Sequence, residues 1–265
     1  MGAVHGCHMK YVALSLISLL ALPMTCTPHP SPLFSSFPYN PTTPLAAVLW
    51  YSAVLNMVIA IGFKLRVGCE LLMKDQKAGT IPALSYLLFF PFHVPTFLYT
   101  YIHTVLGVSH GVNYADEVLP NFWVGGRYAH KIPAGQSPPS QWEVTVDLTS
   151  EFPELSIGST KVYVSAPVWD GTPPHIDDID RCASAIADGW SGSDGNKGKA
   201  GGAVMVHCAH GRGRSCLIAC AGIVKSGKAK SWREAFEMVK EGRKVCKLNA
   251  GMRDALERWE KKYMQ

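Results

Sequence analysis

The sequence is short of charge, and the shortage is confined to its first part. Only 17% of the 265 residues are Asp, Glu, Lys or Arg, and none of these falls between Tyr11 and Phe63. The eight cysteines have no repeated spacing and no CxxC pair, which excludes a disulfide framework and a zinc ribbon. The 25 basic and 20 acidic residues give a net charge of +5, without the basic stripe expected of a nucleic-acid-binding protein. The composition therefore predicts an apolar membrane region, residues 1–111, followed by a globular domain, residues 112–265.

Three apolar runs in the first part have the character of membrane segments. Leu45 to Phe63 is 19 residues long without a charge and predicts a transmembrane helix, the alternative being a buried core helix. Ile81 to Val108 is a longer charge-free run with two prolines, which either kink one spanning helix or turn the chain back as a re-entrant pair. Tyr11 to Met24 is short enough to be a signal sequence, an anchor or a short first span. Thr27 to Pro44 is rich in proline and predicts an extended linker.

The second part alternates short apolar runs with turn-forming residues. Strands followed by helices predict an α/β domain, in which a central, mostly parallel sheet is flanked by helices on both faces as a three-layer sandwich. The predicted strands are residues 121–125, 143–148, 161–165 and 203–208, and the predicted helices are residues 176–190, 214–226, 231–241 and 251–263. Between the third strand pattern and the fourth, the Gly-rich stretch 191–202 predicts a flexible connector rather than a phosphate-binding loop, because no helix follows it.

One cysteine stands in a pattern of its own, at the end of the apolar strand 203–208. After His207 and Cys208 come five residues, Ala209, His210, Gly211, Arg212 and Gly213, and then Arg214 and Ser215 open a helix. Glycines allow successive backbone N–H groups to point inward, and the helix N-terminus adds a partial positive charge. Such a loop binds a tetrahedral phosphate, which the Arg214 guanidinium can hold by two oxygens. The same field favours a thiolate at Cys208 and so makes this residue a candidate nucleophile.

The motif H-C-x5-R-S resembles the signature of the cysteine-dependent protein tyrosine phosphatase superfamily, and the domain of about 150 residues resembles its dual-specificity branch. The similarity extends over roughly residues 113–264. The resemblance implies that Cys208 is the nucleophile, that Arg214 clamps the phosphate, and that Ser215 eases departure of the thiolate in the second step. It also implies that His207 helps to set the pKa of Cys208, and that the loop N–H groups of residues 209–213 bind the phosphate.

The same resemblance predicts an acidic proton donor on a loop some 30 to 40 residues upstream. Asp170, in Val168-Trp169-Asp170-Gly171, precedes Cys208 by 38 residues and is the candidate. A proton donor is needed because an alkoxide leaves poorly until it is protonated. Asp177, Asp178 and Asp180 are competitors, but we interpret them as a solvated first helical turn.

Several neighbouring residues have two interpretations. His210 and Arg212 either line a rim that attracts a charged substrate or are solvated loop side chains. Zinc binding by His207, Cys208 and His210 is disfavoured because no second ligand pair exists, and no metal or other cofactor is expected. Asn249 stands where the branch has its Pro-Asn stretch, but the glutamine that often follows is missing. The residue that positions water therefore stays unassigned, and Asn249 is expected to support a loop instead.

The sequence thus predicts a membrane-anchored phosphomonoesterase that forms a cysteinyl-phosphate. The resemblance implies phosphotyrosine or phosphoserine/threonine proteins as substrates. A phospholipid headgroup is the alternative, and a catalytically silent phosphate-binding module is a third interpretation. A thiolate enzyme is expected on the reducing, cytosolic side. Three full spans with a cytoplasmic loop at Lys64 to Lys77 would place the domain on the other side, a conflict that a re-entrant Ile81 to Val108 would remove.

Overall fold

The computed structural model describes residues 6–25, 44–191 and 202–264. All but the last residue of the predicted proline-rich linker, and most of the predicted Gly-rich connector, lie outside these ranges. The first part of the chain forms four helices: α1 (Met9–Ala21), α2 (Pro44–Leu65), α3 (Ala83–Leu88) and α4 (Phe90–Ser109).

Within the described residues, α2 is the one helix with the length and hydropathy needed to cross a membrane. The single charge-free run predicted at residues 81–108 is divided at Phe89 into α3 and α4. Pro91 lies in the first turn of α4, where its missing N–H group costs no helical hydrogen bond. The expectation of several membrane helices is therefore supported for α2 alone. Helix α1 packs along α2, where the Ser15 hydroxyl donates to the Ala53 carbonyl at 2.8 Å.

The second part contains a five-stranded sheet with the order β1-β2-β5-β3-β4. Its strands are β1 (Ala115–Leu119), β2 (Phe122–Gly125), β3 (Trp142–Thr149), β4 (Thr160–Val168) and β5 (Val204–His207). The four predicted strands are confirmed and pair with one another in parallel. Strand β1 was not predicted from the sequence because Asp116 and Glu117 interrupt its apolar pattern, as is common in edge strands. It pairs with β2 antiparallel, so the sheet is mixed.

Four helices cover one face of this sheet: α5 (Ile176–Ser191), α6 (Arg214–Lys225), α7 (Trp232–Gly242) and α8 (Ala250–Tyr263). All four were predicted, and Ser231 caps α7 by accepting a hydrogen bond from the N–H of Glu234. The opposite face carries Trp123, Met205 and Trp142, which pack against Ala129 of the loop after β2. The α/β sheet flanked by helices is therefore confirmed, but this second face is covered by a loop rather than by a helical layer of the same domain.

Lys74, from the first part of the chain, reaches into the sheet. Its side chain is 2% exposed and forms an ion pair with Asp147 on β3, whose side chain is fully buried. The ammonium group also donates to the carbonyl of Thr149 at 2.7 Å and to its hydroxyl at 3.0 Å. The division of the chain at residue 111 stays a prediction, but these contacts make the segment around Lys74 part of the packing of the second domain.

We expect Lys74→Met to destabilise the protein by about 3–5 kcal/mol, because it removes the ammonium group that pairs with the buried Asp147 carboxylate. The measurement is equilibrium unfolding of the full chain in detergent. Lys161→Met is the matched control, since Lys161 pairs with Glu143 at an exposed position of the same sheet, where an ion pair contributes about 1 kcal/mol or less. Equal stability of the two variants would contradict the structural role assigned to Lys74.

Candidate active site

The end of β5, the start of α6 and the loop between them form the site. Residues 208–213, called the cysteine loop below, connect the two elements. Gly211 has φ +66°, and a Cβ on it would lie 2.4 Å from the carbonyl carbon of Gly125, so glycine is required there. In the described chain, none of the N–H groups of residues 209–213 donates to a backbone carbonyl. Five consecutive donors are thus available to an anion next to the start of a helix.

Cys208 lies at the base of this loop and is 2% exposed. Its Sγ is 3.5 Å from the hydroxyl oxygen of Ser215 in the first turn of α6. Burial opposes ionisation of the thiol, but the charge of Arg214 and the hydrogen bonds from Ser215 outweigh it, so that the pKa of Cys208 is held below its usual value. By contrast, burial raises the pKa of Cys182 to about 12. The site therefore selects Cys208 for ionisation, as a nucleophile requires.

The Arg214 guanidinium is fully buried and fixed by its neighbours. It donates to both carboxylate oxygens of Glu151, at 2.6 and 3.2 Å, and to the carbonyl oxygens of Leu148 and Val168, at 2.9 and 2.7 Å. It also donates to Asp170 at 3.2 Å. Both terminal nitrogens are engaged by these acceptors, and Nε has no hydrogen-bond partner among the described residues, so Nε is the donor that Arg214 holds ready for a phosphate oxygen. A second oxygen can bind where the contact with Asp170 gives way, on a guanidinium whose other contacts keep its orientation. Glu151 was not found from the sequence, where it is one acid in an irregular segment without a motif.

Asp170 lies in the loop after β4, beside Arg214. Its carboxylate is 3.2 Å from Arg214 and 3.8 Å from Lys10 of α1. Burial favours the neutral acid, but the charges of Arg214 and Lys10 outweigh it and lower the pKa of Asp170. The structure thus places Asp170, the predicted proton donor, beside Arg214, the predicted phosphate clamp. The lowered pKa means that the Asp170 carboxyl is ionised.

The loop that carries Asp170 is anchored on both sides. The Asn249 amide donates to the carbonyl of Gly171 at 2.8 Å, and its oxygen caps α8 through the N–H of Met252. This agrees with the expectation that Asn249 supports a loop. On the other side, the indole of Trp169 donates to the carbonyl of Val67 at 2.7 Å and stacks on Phe63 of α2.

The imidazole of His207, which was expected to help set the pKa of Cys208, lies next to two buried carboxylates. Its Nε2 is 2.5 Å from Glu154 and 4.0 Å from Asp147. Burial disfavours the charged ring, but the two carboxylates outweigh it and raise the pKa of His207 to about 9. Asp147, Glu154 and His207 have the ligand types of a metal site, yet Lys74 already pairs with Asp147 there. The influence of His207 on the thiol stays a prediction, and its contacts are those of a buried charge network.

The two residues expected at the rim differ from each other. The ring of His210 packs 4.6 Å from that of His103, and burial lowers its pKa to about 3, so His210 is neutral and adds no positive charge. Arg212 is half-buried.

Arg243, which the sequence did not indicate, donates to the carbonyl of Gly211 at 2.8 Å and forms an ion pair with Asp116. It therefore holds the cysteine loop from behind.

A known family model matches the part of the chain that contains the cysteine loop. Residues 142–262 match the family model described as dual specificity phosphatase, catalytic domain. No curated protein matches the chain.

Three solved structures illustrate the likeness. Human DUSP28 is 21% identical with a TM-score of 0.44, and the alignment covers 57% of this chain and 96% of that one. The human tyrosine phosphatase-like serine/threonine/tyrosine-interacting protein is 21% identical with a TM-score of 0.46, covering 57% and 98%. PTPMT1, solved in complex with PI(5)P, is 13% identical with a TM-score of 0.45, covering 57% and 96%.

Glu151→Gln keeps the shape of the side chain but removes the charge that orients Arg214. We expect kcat/KM on a soluble aryl phosphate to fall about 10- to 100-fold, the usual effect of losing a hydrogen bond between charged groups. Glu143→Gln, at the exposed pair with Lys161, is the control and should change activity less than twofold, by roughly the small effect of a surface substitution. Unchanged kcat/KM in the Glu151 variant would refute the positioning role.

Proposed function

We propose that this protein is a cysteine-dependent phosphatase that hydrolyses phosphomonoesters in two steps. The observation that carries the proposal is the Cys208 thiol with its lowered pKa, beside five available N–H donors and the preoriented guanidinium of Arg214. A catalytically silent phosphate-binding module would need the donors and Arg214 but not the ionised thiol.

In the first step the Cys208 thiolate attacks phosphorus. The P–O bond to the leaving group breaks, and the P–S bond of a cysteinyl-phosphate forms. The loop N–H groups and Arg214 stabilise the negative charge on the transferring phosphoryl group. Asp170 gives its proton to the leaving oxygen. A bound phosphate dianion favours the protonated form of Asp170, because it repels the carboxylate and shares the positive charge of Arg214.

In the second step a water molecule attacks the phosphorus and gives its proton to Asp170. The P–S bond breaks, inorganic phosphate forms and the thiolate returns. The Ser215 hydroxyl, 3.5 Å from Cys208 Sγ, donates a hydrogen bond that stabilises the departing thiolate.

Cys208→Ser should abolish hydrolysis of an aryl phosphate while phosphate binding persists, because the cradle consists of backbone and Arg214 rather than sulfur. Steady-state kinetics and vanadate or phosphate binding measure the two effects, and a chelator should leave the wild-type rate unchanged. Residual activity above about a tenth of wild type would exceed the expected loss of a nucleophile and refute the assignment.

Asp170→Ala should lower kcat by about 10² or more on alkyl phosphates, whose leaving groups need a proton, and by much less on an activated aryl phosphate. Asp177→Ala is the control, since that carboxylate lies on the surface with Lys262. Equal losses on both substrates would point to another proton donor.

Two substrate classes fit this chemistry, phosphorylated proteins and phospholipid headgroups. One observation favours the lipid: apolar helices reach the catalytic groups themselves. Lys10 of α1 lies 3.8 Å from Asp170, Phe63 of α2 stacks on Trp169, and the ring of Tyr99 of α4 lies against His210. If α2 spans or enters a bilayer, the site faces the lipid surface. We propose a membrane-bound enzyme whose thiolate lies on the reducing side.

A further inference from the structure

Trp169, the residue before Asp170, belongs to the core of the first part of the chain. Its side chain is 3% exposed and lies in an apolar cluster with Phe63 and Phe92. The other buried members of this cluster are Cys7, Tyr11, Ile59, Ala60 and Leu72. Of the described residues in the cluster, Trp169 alone follows residue 111. A side chain of the second part is thus enclosed by the first part, directly beside the predicted proton donor.

The Trp169 indole is held there by a hydrogen bond and two ring contacts. Its N–H group donates to the carbonyl of Val67, just after α2, at 2.7 Å. Its ring stacks on that of Phe63, with the centroids 4.4 Å apart and the planes inclined by 26°. The ring of Phe92 on α4 packs nearly perpendicular to it, at 5.9 Å and 77°. Since a buried indole needs both its ring contacts and an acceptor for its N–H group, these partners hold it in one orientation.

The backbone on either side of Trp169 is held as well. The carbonyl of Val168 accepts a hydrogen bond from Arg214 at 2.7 Å. The carbonyl of Trp169 accepts from the N–H group and the hydroxyl of Thr172, at 3.1 and 2.8 Å. Asp170 therefore lies within a fixed turn, and its contact with Arg214 at 3.2 Å is formed before a substrate binds.

The accuracy of this placement matters for proton transfer. A general acid acts only within hydrogen-bond reach of the leaving oxygen, and a displacement of about 1 Å at a catalytic group can cost about 100-fold in rate. Lys10 of α1 lies 3.8 Å from the Asp170 carboxylate, so the first part of the chain borders the carboxylate as well as the residue before it. Because folding of these helices has already placed the loop, no binding energy is needed to close it over the substrate.

We propose that Trp169 is a positioning residue for the proton donor: the first part of the chain holds its indole, and the indole keeps the Asp170 carboxylate within reach of the leaving group. The inference rests on the proposed phosphatase function and gives α2 and α4 a part in its first chemical step. Trp169 acts through Asp170 and not on the reacting atoms. Loosening its anchor therefore weakens proton transfer more than the attack of Cys208.

The test compares kcat/KM of the full chain in detergent for two substrates of similar shape, phenyl phosphate and nitrophenyl phosphate. Nitrophenoxide leaves readily without a proton, whereas phenoxide depends more strongly on a donor. In the proposed mechanism, kcat/KM covers the steps up to phosphoryl transfer to Cys208, in which Asp170 gives its proton. The readout is the ratio of the phenyl value to the nitrophenyl value, because partial unfolding lowers both values alike and cancels from the ratio.

Two variants loosen the anchor from opposite sides. Trp169→Phe keeps an aromatic ring against Phe63 but removes the hydrogen bond to Val67. Phe63→Leu removes the stacking partner on α2 and leaves the loop sequence intact. We expect each variant to lower the ratio about 3- to 10-fold, the usual effect of losing one hydrogen bond or one aromatic contact.

Trp190→Phe is the matched control. The Trp190 indole, on α5, donates to the carbonyl of Pro120 at 3.0 Å and packs on the ring of Phe122, so the same kinds of contact are lost away from Asp170. This variant should leave the ratio within about twofold of the wild-type value.

A second control uses the donor itself. In a chain that carries Asp170→Ala, adding Trp169→Phe should not change the ratio further, because the carboxylate that Trp169 positions is absent. A wild-type ratio in Trp169→Phe or in Phe63→Leu, an equal fall in Trp190→Phe, or a further fall on top of Asp170→Ala would overturn the positioning role.

Failure of this inference and failure of the proposed function give different results. If hydrolysis depends on Cys208 but the ratio does not fall in Trp169→Phe, the phosphatase stands and the positioning role is wrong. If no hydrolysis depends on Cys208, the proposed function is wrong, and the positioning role is wrong with it.

Discussion

The buried ion pair between Arg214 and Glu151 is the interaction on which the site depends. A guanidinium without solvent exposure needs a counter-charge, and Glu151 supplies it through both carboxylate oxygens. That contact fixes the fork beside Cys208, where its charge offsets the effect of burial on the thiol. It also joins the segment after β3 to the start of α6, so the nucleophile, the clamp and Asp170 are held in one arrangement before substrate arrives.

The helices of the first part complete this arrangement. Lys74 pairs with Asp147 beneath the sheet, Lys10 adds to the positive field at Asp170, and Trp169 fastens the Asp170 loop to Phe63 of α2 and to Val67 just after it. The contacts of Lys10 and Trp169 connect α1 and α2 directly to the loop that carries Asp170. In this account the first part of the chain shapes the site, and the proposed preference for lipid follows from that contact.

The sequence could predict the features that depend on residues close together in the chain. Around Cys208 and Arg214, an apolar run, a short loop and a helical pattern predict a strand, a loop and a helix within a dozen residues. The other helices and the parallel strands were predicted in the same way, from helical spacing and short apolar runs. Glu151 and Lys74 could not be found, because their partners lie 63 and 73 residues away and only the folded sheet brings them together. His210 had two alternative interpretations, a side chain at a charged rim or a solvated loop side chain; the structure instead packs its ring against His103 of α4 and lowers its pKa.

The central claim is that the Cys208 thiolate forms a covalent bond to phosphorus. Rapid acid quench of the wild-type chain during turnover of an aryl phosphate, followed by peptide mass spectrometry, measures it directly. The account predicts one added phosphoryl group on the peptide containing Cys208, and its accumulation when water attack is slowed. Turnover at the wild-type rate with no phosphoryl group on Cys208, or with the group on another residue, would contradict the account.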